Sequence, residues 1–332
     1  MTLAVTNWIN RRSAIGASIA LVLSFQAAVA SAATTIVFIG NSFTYGEGAS
    51  VQSFRTNTVT DLNGGSIGGV PALFKAFTQQ AGLDYAVSLE TAPGANLDFH
   101  YSSRLSVLDR AWDVVVMHGH STLDIAAPNN PAKISQYTGL LGQVFEARNP
   151  SVRIGLTATW SRADLTYQTN SPWFGKPIQE MGIDVHAGYE VARANNPTIV
   201  DFISPVGLAW NRAFNQGVAD TNPYNGITPG LLNLWASDSY HASNYGYYLH
   251  ALVVFGMVTG ADPRTLGGGE NAAAELGFTP GQASALQSIA FQQISAVPEP
   301  ASWGMAALGL GVLLLRRRHK SVRREPSCPS LG

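Results

Sequence analysis

The chain predicts an α/β fold in which one parallel sheet of about five strands carries helices on both faces, three layers in all. Three observations predict it. Short apolar, β-branched runs alternate with longer segments of helical periodicity. The runs lack the in–out alternation of half-exposed strands, as strands buried on both faces do. No internal repeat interrupts the alternation, so successive strands are expected to join by right-handed crossovers within one sheet.

Each element has a local reason. Residues 35–40 (TIVFIG) form a buried strand that ends on glycine. A Gly- and Ser-rich loop at 64–69 precedes a helix over 71–81, which opens on proline, where a missing N–H costs nothing. Strands follow at 85–91, 113–117 (DVVVM), 153–160 and 198–203. Helices are expected over 131–148, 178–194, 205–214 and 241–259. Residues 263–296, with glycines at 267–269 and many Ala, Gln and Ser, read as a linker with one short helix after a folded domain over 34–262.

Both ends read as targeting segments. Residues 1–33 open with Arg11 and Arg12, run apolar from Ala14 to Ala30 and close on Ala-Ser-Ala-Ala, the pattern of a cleavable signal peptide. The context of the arginine pair fits a twin-arginine signal poorly. At the other end, Pro298-Glu299-Pro300 precedes an uncharged stretch from Ala301 to Leu315, then Arg316-Arg317-Arg318-His319-Lys320. An apolar segment backed by cations is a stop-transfer design, although fifteen residues is short for a permanent span. Residues 297–320 resemble the PEP-CTERM sorting tail of Gram-negative exopolysaccharide-producing bacteria, with 321–332 as a cytoplasmic tail. The resemblance implies recognition by an exosortase-type membrane peptidase. It also implies transient membrane anchoring through this segment and delivery to the cell envelope, surface or matrix.

Setting the ends aside changes the charge. The whole chain has 20 basic and 21 acidic residues, but residues 34–296 keep 12 and 19, a net charge of −7. A body this acidic, without a basic cluster, excludes nucleic acid as a partner. The one cysteine, Cys328, lies beyond the apolar tail, so the body has no disulfide and no thiol chemistry. About 260 residues suffice for one domain with a substantial core.

In a parallel sheet of this kind, functional groups collect beyond the C-terminal strand ends. The first strand runs into Gly40-Asn41-Ser42, which exposes a serine just past the strand. Serine there also commonly caps a helix. Near the end of the body, Asp238-Ser239-Tyr240-His241 puts a carboxylate three residues before an imidazole, so one short turn can orient the ring and aim its free nitrogen at a hydroxyl.

With Gly40-Asn41-Ser42, Gly94 in Ala92-Pro93-Gly94-Ala95-Asn96, and Asp238 with His241 in this order, residues 34–260 resemble the SGNH (GDSL-type) hydrolases. The resemblance implies a flavodoxin-like three-layer fold and a Ser42–His241–Asp238 triad. It further implies main-chain oxyanion donors at Ser42 and Gly94. Asn41 stands where the family more often has Asp. The third block departs further. In place of Gly-x-Asn-Asp the chain has His118-Gly119-His120-Ser121-Thr122, which leaves the third oxyanion donor open between His120 and Ser121.

The remaining candidates have plainer readings. His118 and His120 look like half a metal site without a further ligand, and no metal or other cofactor is expected. His250 sits on the apolar face of the last helix and reads as a packed core residue. Trp160, Trp173, Trp210 and Trp235 are core residues or the lining of a sugar cleft. Asn211 and Arg212 read as solvated helix positions. The expected function is an exported serine esterase acting on carboxylic esters, with acyl groups on extracellular polysaccharide as candidate substrates. The alternatives are a catalytically silent surface or carbohydrate-binding protein on the same scaffold, or a purely structural matrix protein.

Overall fold

A computed structural model describes residues 32–168 and 171–296. The signal segment, apart from its last two residues, and the sorting, membrane and tail segments expected from residue 297 onward lie outside the described residues. No described helix is long and apolar enough to cross a membrane.

In chain order the elements are β1 (Thr34–Gly40), α1 (Ser42–Tyr45), β2 (Thr60–Asp61), α2 (Gly69–Gln80), β3 (Tyr85–Thr91), α3 (Leu97–Ser103), α4 (Leu105–Leu108), β4 (Val114–Met117) and α5 (Ala132–Arg148). They continue with β5 (Arg153–Thr157), α6 (Ala163–Tyr167), α7 (Gln179–Asn195), β6 (Phe202–Ser204), α8 (Val206–Asn215), α9 (Asn244–Thr259), α10 (Asn271–Glu275) and α11 (Pro280–Ser295). The sheet is parallel throughout, in the order β2-β3-β1-β4-β5-β6. The five longer strands fall at or beside the positions expected. The sixth is the two-residue β2 on the edge, too short to leave a periodic signal. Without β2 the order is that of flavodoxin-like sheets, and the chain leaves β1 for opposite sides at its two neighbours, β3 and β4.

Alternate side chains of each strand feed two cores. Ile36, Phe38, Val114 and Val116 face the layer of α2, α8, α9 and α11. Val37, Ile39, Val115, Met117, Ile154 and Leu156 face the layer of α5 and α7. On β3 the alternation turns Glu90 toward the second side, where His100 of α3 and Arg104 pair with its carboxylate in the interior.

The stretch over 263–296 is folded, which corrects the expected linker. A 3-10 turn at Pro263–Leu266, α10 and the sixteen-residue α11 all lie against the body. The reason is α9, whose residues are buried on every face from Gly246 to Gly256. A helix apolar all round needs cover on every side. Ala283, Leu286, Ile289 and Ala290 of α11 supply the last of it. Polar ties fix the contact: Gln287 Nε2 donates to Gly267 O (2.8 Å), and Arg212 Nε donates to Gln293 Oε1 (3.0 Å). Thr279 and Gln282 form a capping box with Pro280 at the first turn of α11.

Two further expectations change. Trp160, Trp173, Trp210 and Trp235 are all fully buried, so none lines an open sugar cleft. Asn211 is buried and its Nδ2 donates to Gln179 O (2.9 Å), while Arg212 bonds α11; neither is a solvated position. His250 is buried, as a packed core residue should be.

Because α11 covers α9, Leu286→Ala is expected to cost about 2–5 kcal/mol of stability. Urea unfolding of the purified protein checks this. A loss below about 0.5 kcal/mol, as for surface substitutions, would return the segment to linker status.

Candidate active site

The site is built at the end of β1. Asn41 is the N-cap of α1, and its Oδ1 accepts the N–H of Phe43 (3.1 Å). Ser42 is therefore the first helical residue and not the cap, and its N–H belongs to the group that a helix start leaves unpaired. Asn41 Nδ2 donates to Ala95 O (2.9 Å), after β3, and to Gly119 O (3.0 Å), after β4. One carboxamide thus draws three strand ends together, with Ser42, Gly94 and His120 each one residue from an atom it ties. Gly40 has no room for a side chain, because a Cβ there would run into the His118 ring and Thr44 Oγ1.

After β3, Ala92–Ala95 forms a turn closed by Ala95 N–H donating to Ala92 O (3.2 Å), with Pro93 second and Gly94 third at φ +65°. This is a type II turn, whose third position calls for glycine. The Gly94 N–H makes no hydrogen bond among the described residues.

His241 and Asp238 meet as expected. His241 Nδ1 lies 2.6 Å from Asp238 Oδ2, and Asp238 Oδ1 accepts the N–H groups of Tyr240 (3.0 Å) and His241 (2.9 Å). Burial works against this carboxylate. The bonds from the His241 ring and the two main-chain donors outweigh it and hold Asp238 below the usual aspartate value. The turn rests on a bridge between Trp235 and Ala242, with Ser239 at its tip at φ +58°. Three bonds from the segment after β5 steady it: Trp160 Nε1 to Tyr240 O (3.2 Å), Asp164 N to Ser239 O (3.2 Å), and Trp235 Nε1 to Ser161 O (2.9 Å).

His241 Nε2 is buried with no hydrogen-bond partner, so no bond to Ser42 is formed. The two are neighbours through other groups. The His241 ring lies edge-on to Phe43, 5.7 Å between centroids, and Tyr247 of α9 donates to Ser42 O (3.1 Å). Catalytic hydrogen bonds are often long before substrate arrives.

The third block resolves into different fates. His118 lies in the interior, its Nδ1 on Gly119 O (2.9 Å) and its Nε2 on Thr44 Oγ1 (2.7 Å). Ser121 Oγ accepts from Arg162 Nη1 (3.3 Å). The His120 Nδ1 atom meets Thr122 Oγ1 (2.8 Å) and the Thr122 N–H (3.3 Å). Burial, aided by the Arg162 cation, pushes the His120 pKa down and keeps the ring neutral. Among the described residues no three His, Cys, Asp or Glu side chains gather as a metal site.

Arg162 is the residue that sequence reasoning missed. Its guanidinium forks onto Asp164 (3.1 and 2.5 Å) and lies 3.7 Å over the ring centre of Tyr240, whose ring is itself 4.0 Å from that of His241. Its one sequence signal was a charge just beyond an apolar strand.

Residues 296–318 match the PEP-CTERM protein-sorting motif, which indicates export and sorting to the cell surface. No curated protein matches the chain in sequence. Among solved structures, a DUF4886 family protein from Bacteroides uniformis is similar over 81% of this chain and 98% of its own, at 16% identity and a TM-score of 0.53. Weaker similarity is found to a protein from Slackia heliotrinireducens described as an SGNH hydrolase (68% of this chain and 100% of its own, 18% identity, TM-score 0.42) and to a Clostridium thermocellum family 3 carbohydrate esterase (67% and 93%, 16% identity, TM-score 0.42). The chain therefore shares its parallel α/β fold with the DUF4886 family protein.

The buried histidines generate a pH prediction. Burial pushes His118 down to about 4 and His250 down to about 3. Both folded values lie below the ordinary 6.5, so the unfolded chain binds more protons. Their contribution is complete above pH 6.5 and falls as pH drops toward 4, by roughly 2 kcal/mol for each at pH 5. Urea midpoints at pH 7 and pH 5 check this, and His118→Gln is expected to reduce the difference.

Proposed function

We propose that this chain is an exported serine esterase that hydrolyses carboxylic esters, with O-acyl groups on extracellular polysaccharide as its substrates. The observation that carries the reading is His241: its Nδ1 is held by Asp238, while its Nε2 is buried, unpartnered and beside the Phe43 that follows Ser42. His100 shares the pattern, with Nδ1 on the Glu90 carboxylate and Nε2 buried without a partner, so what distinguishes His241 is its place against Phe43, next to Ser42.

In this mechanism His241 Nε2 takes the Ser42 hydroxyl proton as the oxygen attacks the ester carbonyl. Negative charge gathers on the former carbonyl oxygen, where the N–H groups of Ser42 and Gly94 stabilise it. Collapse breaks the bond to the alcohol, which leaves with the proton from His241. Water repeats the sequence on the acyl-enzyme, and the acid is released. Asp238 keeps the ring in the required tautomer and stabilises the imidazolium that forms.

His120 is the third donor in this reading. Its Nδ1 accepts from the Thr122 N–H. The Thr122 hydroxyl lies within reach of both Asp124 O and Nδ1, and in this reading it turns its one proton to Nδ1, so the ring proton sits on Nε2. Ser121 is the alternative, since its oxygen accepts from Arg162 and its own proton stays free to donate.

Hydrolysis of p-nitrophenyl acetate tests the reading. Ser42→Ala and His241→Ala are each expected to lower kcat by about 10⁴-fold or more, and the double variant little further, because the two act as one unit. Activity that survives in both single variants would sink the triad. His120→Ala is expected to lower kcat by about 10²–10³-fold, with Ser121→Ala far milder; the reverse order would exchange their roles.

A further inference from the structure

Beside the oxyanion loop lies an open cavity of about 460 Å³ whose lining includes Gly94, Asp98, Phe99, His120, Ile125 and Lys133. Its volume falls in the range of about 300–1,000 Å³ usual for small-molecule sites. Two kinds of surface meet there. Phe99 and Ile125 are apolar. Ile125 is 73% exposed, and the loop that carries it is held by Asp124 Oδ1, which accepts the N–H groups of Ala126 (2.7 Å) and Ala127 (3.2 Å). A large apolar side chain is thus presented to solvent on a braced turn, next to a candidate oxyanion donor. The polar surface is an ion-paired group: Lys133 Nζ lies 3.4 Å from Asp98 Oδ2 and 3.5 Å from Asp124 Oδ2.

We infer that this cavity is a sugar subsite, which binds the alcohol side of the ester as a neutral acylated pyranose. The inference rests on the esterase reading above and adds where the glycan sits and what charge it carries. An acyl chain would cover Lys133 and its two carboxylates without offering a hydrogen bond, and stripping water from such groups is costly. Sugar hydroxyls donate to the carboxylates and accept from the ammonium, while the C–H face of the ring packs on Phe99 and Ile125. Two carboxylates against one ammonium leave the group with net negative charge, which disfavours a uronate or any anionic glycan. Gly94 and His120 border both this cavity and the end of β1, so a sugar held here presents its O-acyl carbonyl toward Ser42.

The test is a specificity ratio measured on the purified protein: kcat/KM for acetylated xylo-oligosaccharide over kcat/KM for p-nitrophenyl acetate. Ile125→Ser and Lys133→Gln are each expected to lower it roughly tenfold, mainly through KM on the sugar ester. Ile183→Ser, an equally conservative change at an exposed position on α7 outside the cavity, is expected to leave it unchanged. An unchanged ratio in both cavity variants overturns the subsite, as does a larger loss on p-nitrophenyl decanoate, which would make the cavity an acyl pocket. Faster hydrolysis of an acetylated uronate than of the neutral sugar overturns the charge assignment. A second measurement separates this inference from the esterase reading. Unacetylated xylo-oligosaccharide is titrated into the Ser42→Ala variant by calorimetry, without need of turnover. Binding that Ile125→Ser weakens supports the subsite even if no ester is hydrolysed, and no binding removes it even if p-nitrophenyl acetate is a substrate.

Discussion

The site depends on one buried carboxamide. Asn41 accepts from α1 and donates to the carbonyls of Ala95 and Gly119, so the ends of β1, β3 and β4 cannot separate without leaving unpaired polar groups in the interior. The chemistry of the residue matters. A carboxylate in its place could accept from Phe43 but would meet two carbonyl oxygens with no proton to give. Asparagine at position 41 is therefore integral to how this chain closes its switch point. The bond to Gly119 O also holds the start of the 118–122 loop in place.

A second constraint acts from below. Phe43 stacks on Trp160 at 4.0 Å and 7°, and Trp160 stacks on Trp210 at 4.9 Å and 5°. Trp235 packs against both Trp210 and Phe214. These rings join the serine helix, the segment after β5, α8 and the Asp238–His241 turn into one packed body. Trp160, Trp210 and Trp235 thus act on the site by holding its parts in place, since none of them reaches solvent, while Trp173 lies in the other core with its Nε1 on Asp184. Arg162 continues the stack on the outside, with Tyr240 between it and His241. Removing a ring near the middle would loosen the serine and the histidine together, because they rest on the same stack.

The strands were legible because each is a short apolar run, rich in β-branched residues and bounded by turn-forming ones, which suits a strand buried on both faces and is too short for a core helix. The Asp238–His241 pair was legible because a spacing of three fits one turn. What escaped depends on contacts distant in sequence. The helix α11 has a composition that suits a linker, and only its need to cover the all-round apolar α9 makes it core. That need, and the Thr-Pro-Gly-Gln start of α11, were both present in the sequence. The two-residue β2 has no periodicity to detect. Arg162 is recognisable only once Tyr240 lies beneath it, and the burial of Asn211 follows from Gln179 packing opposite. A tryptophan near a strand end can point inward or outward, and sequence does not distinguish the two.

The histidines show how one residue type takes separate roles under different burial. His118 has both nitrogens satisfied, and His250 is enclosed beside the Trp160 ring, so each is held neutral far below its ordinary range. Burial also pushes the pKa of His120 down, but that ring remains at the cavity wall. His241 and His100 each combine a carboxylate partner with a free nitrogen, and of the two His241 is the one that lies against Phe43 beside Ser42. In the proposed reaction an imidazolium formed at His241 has Asp238 to stabilise it. The buried histidines lower the acid tolerance of the fold. In the proposed reaction, the proton that leaves Ser42 passes to His241, the ring that Asp238 orients.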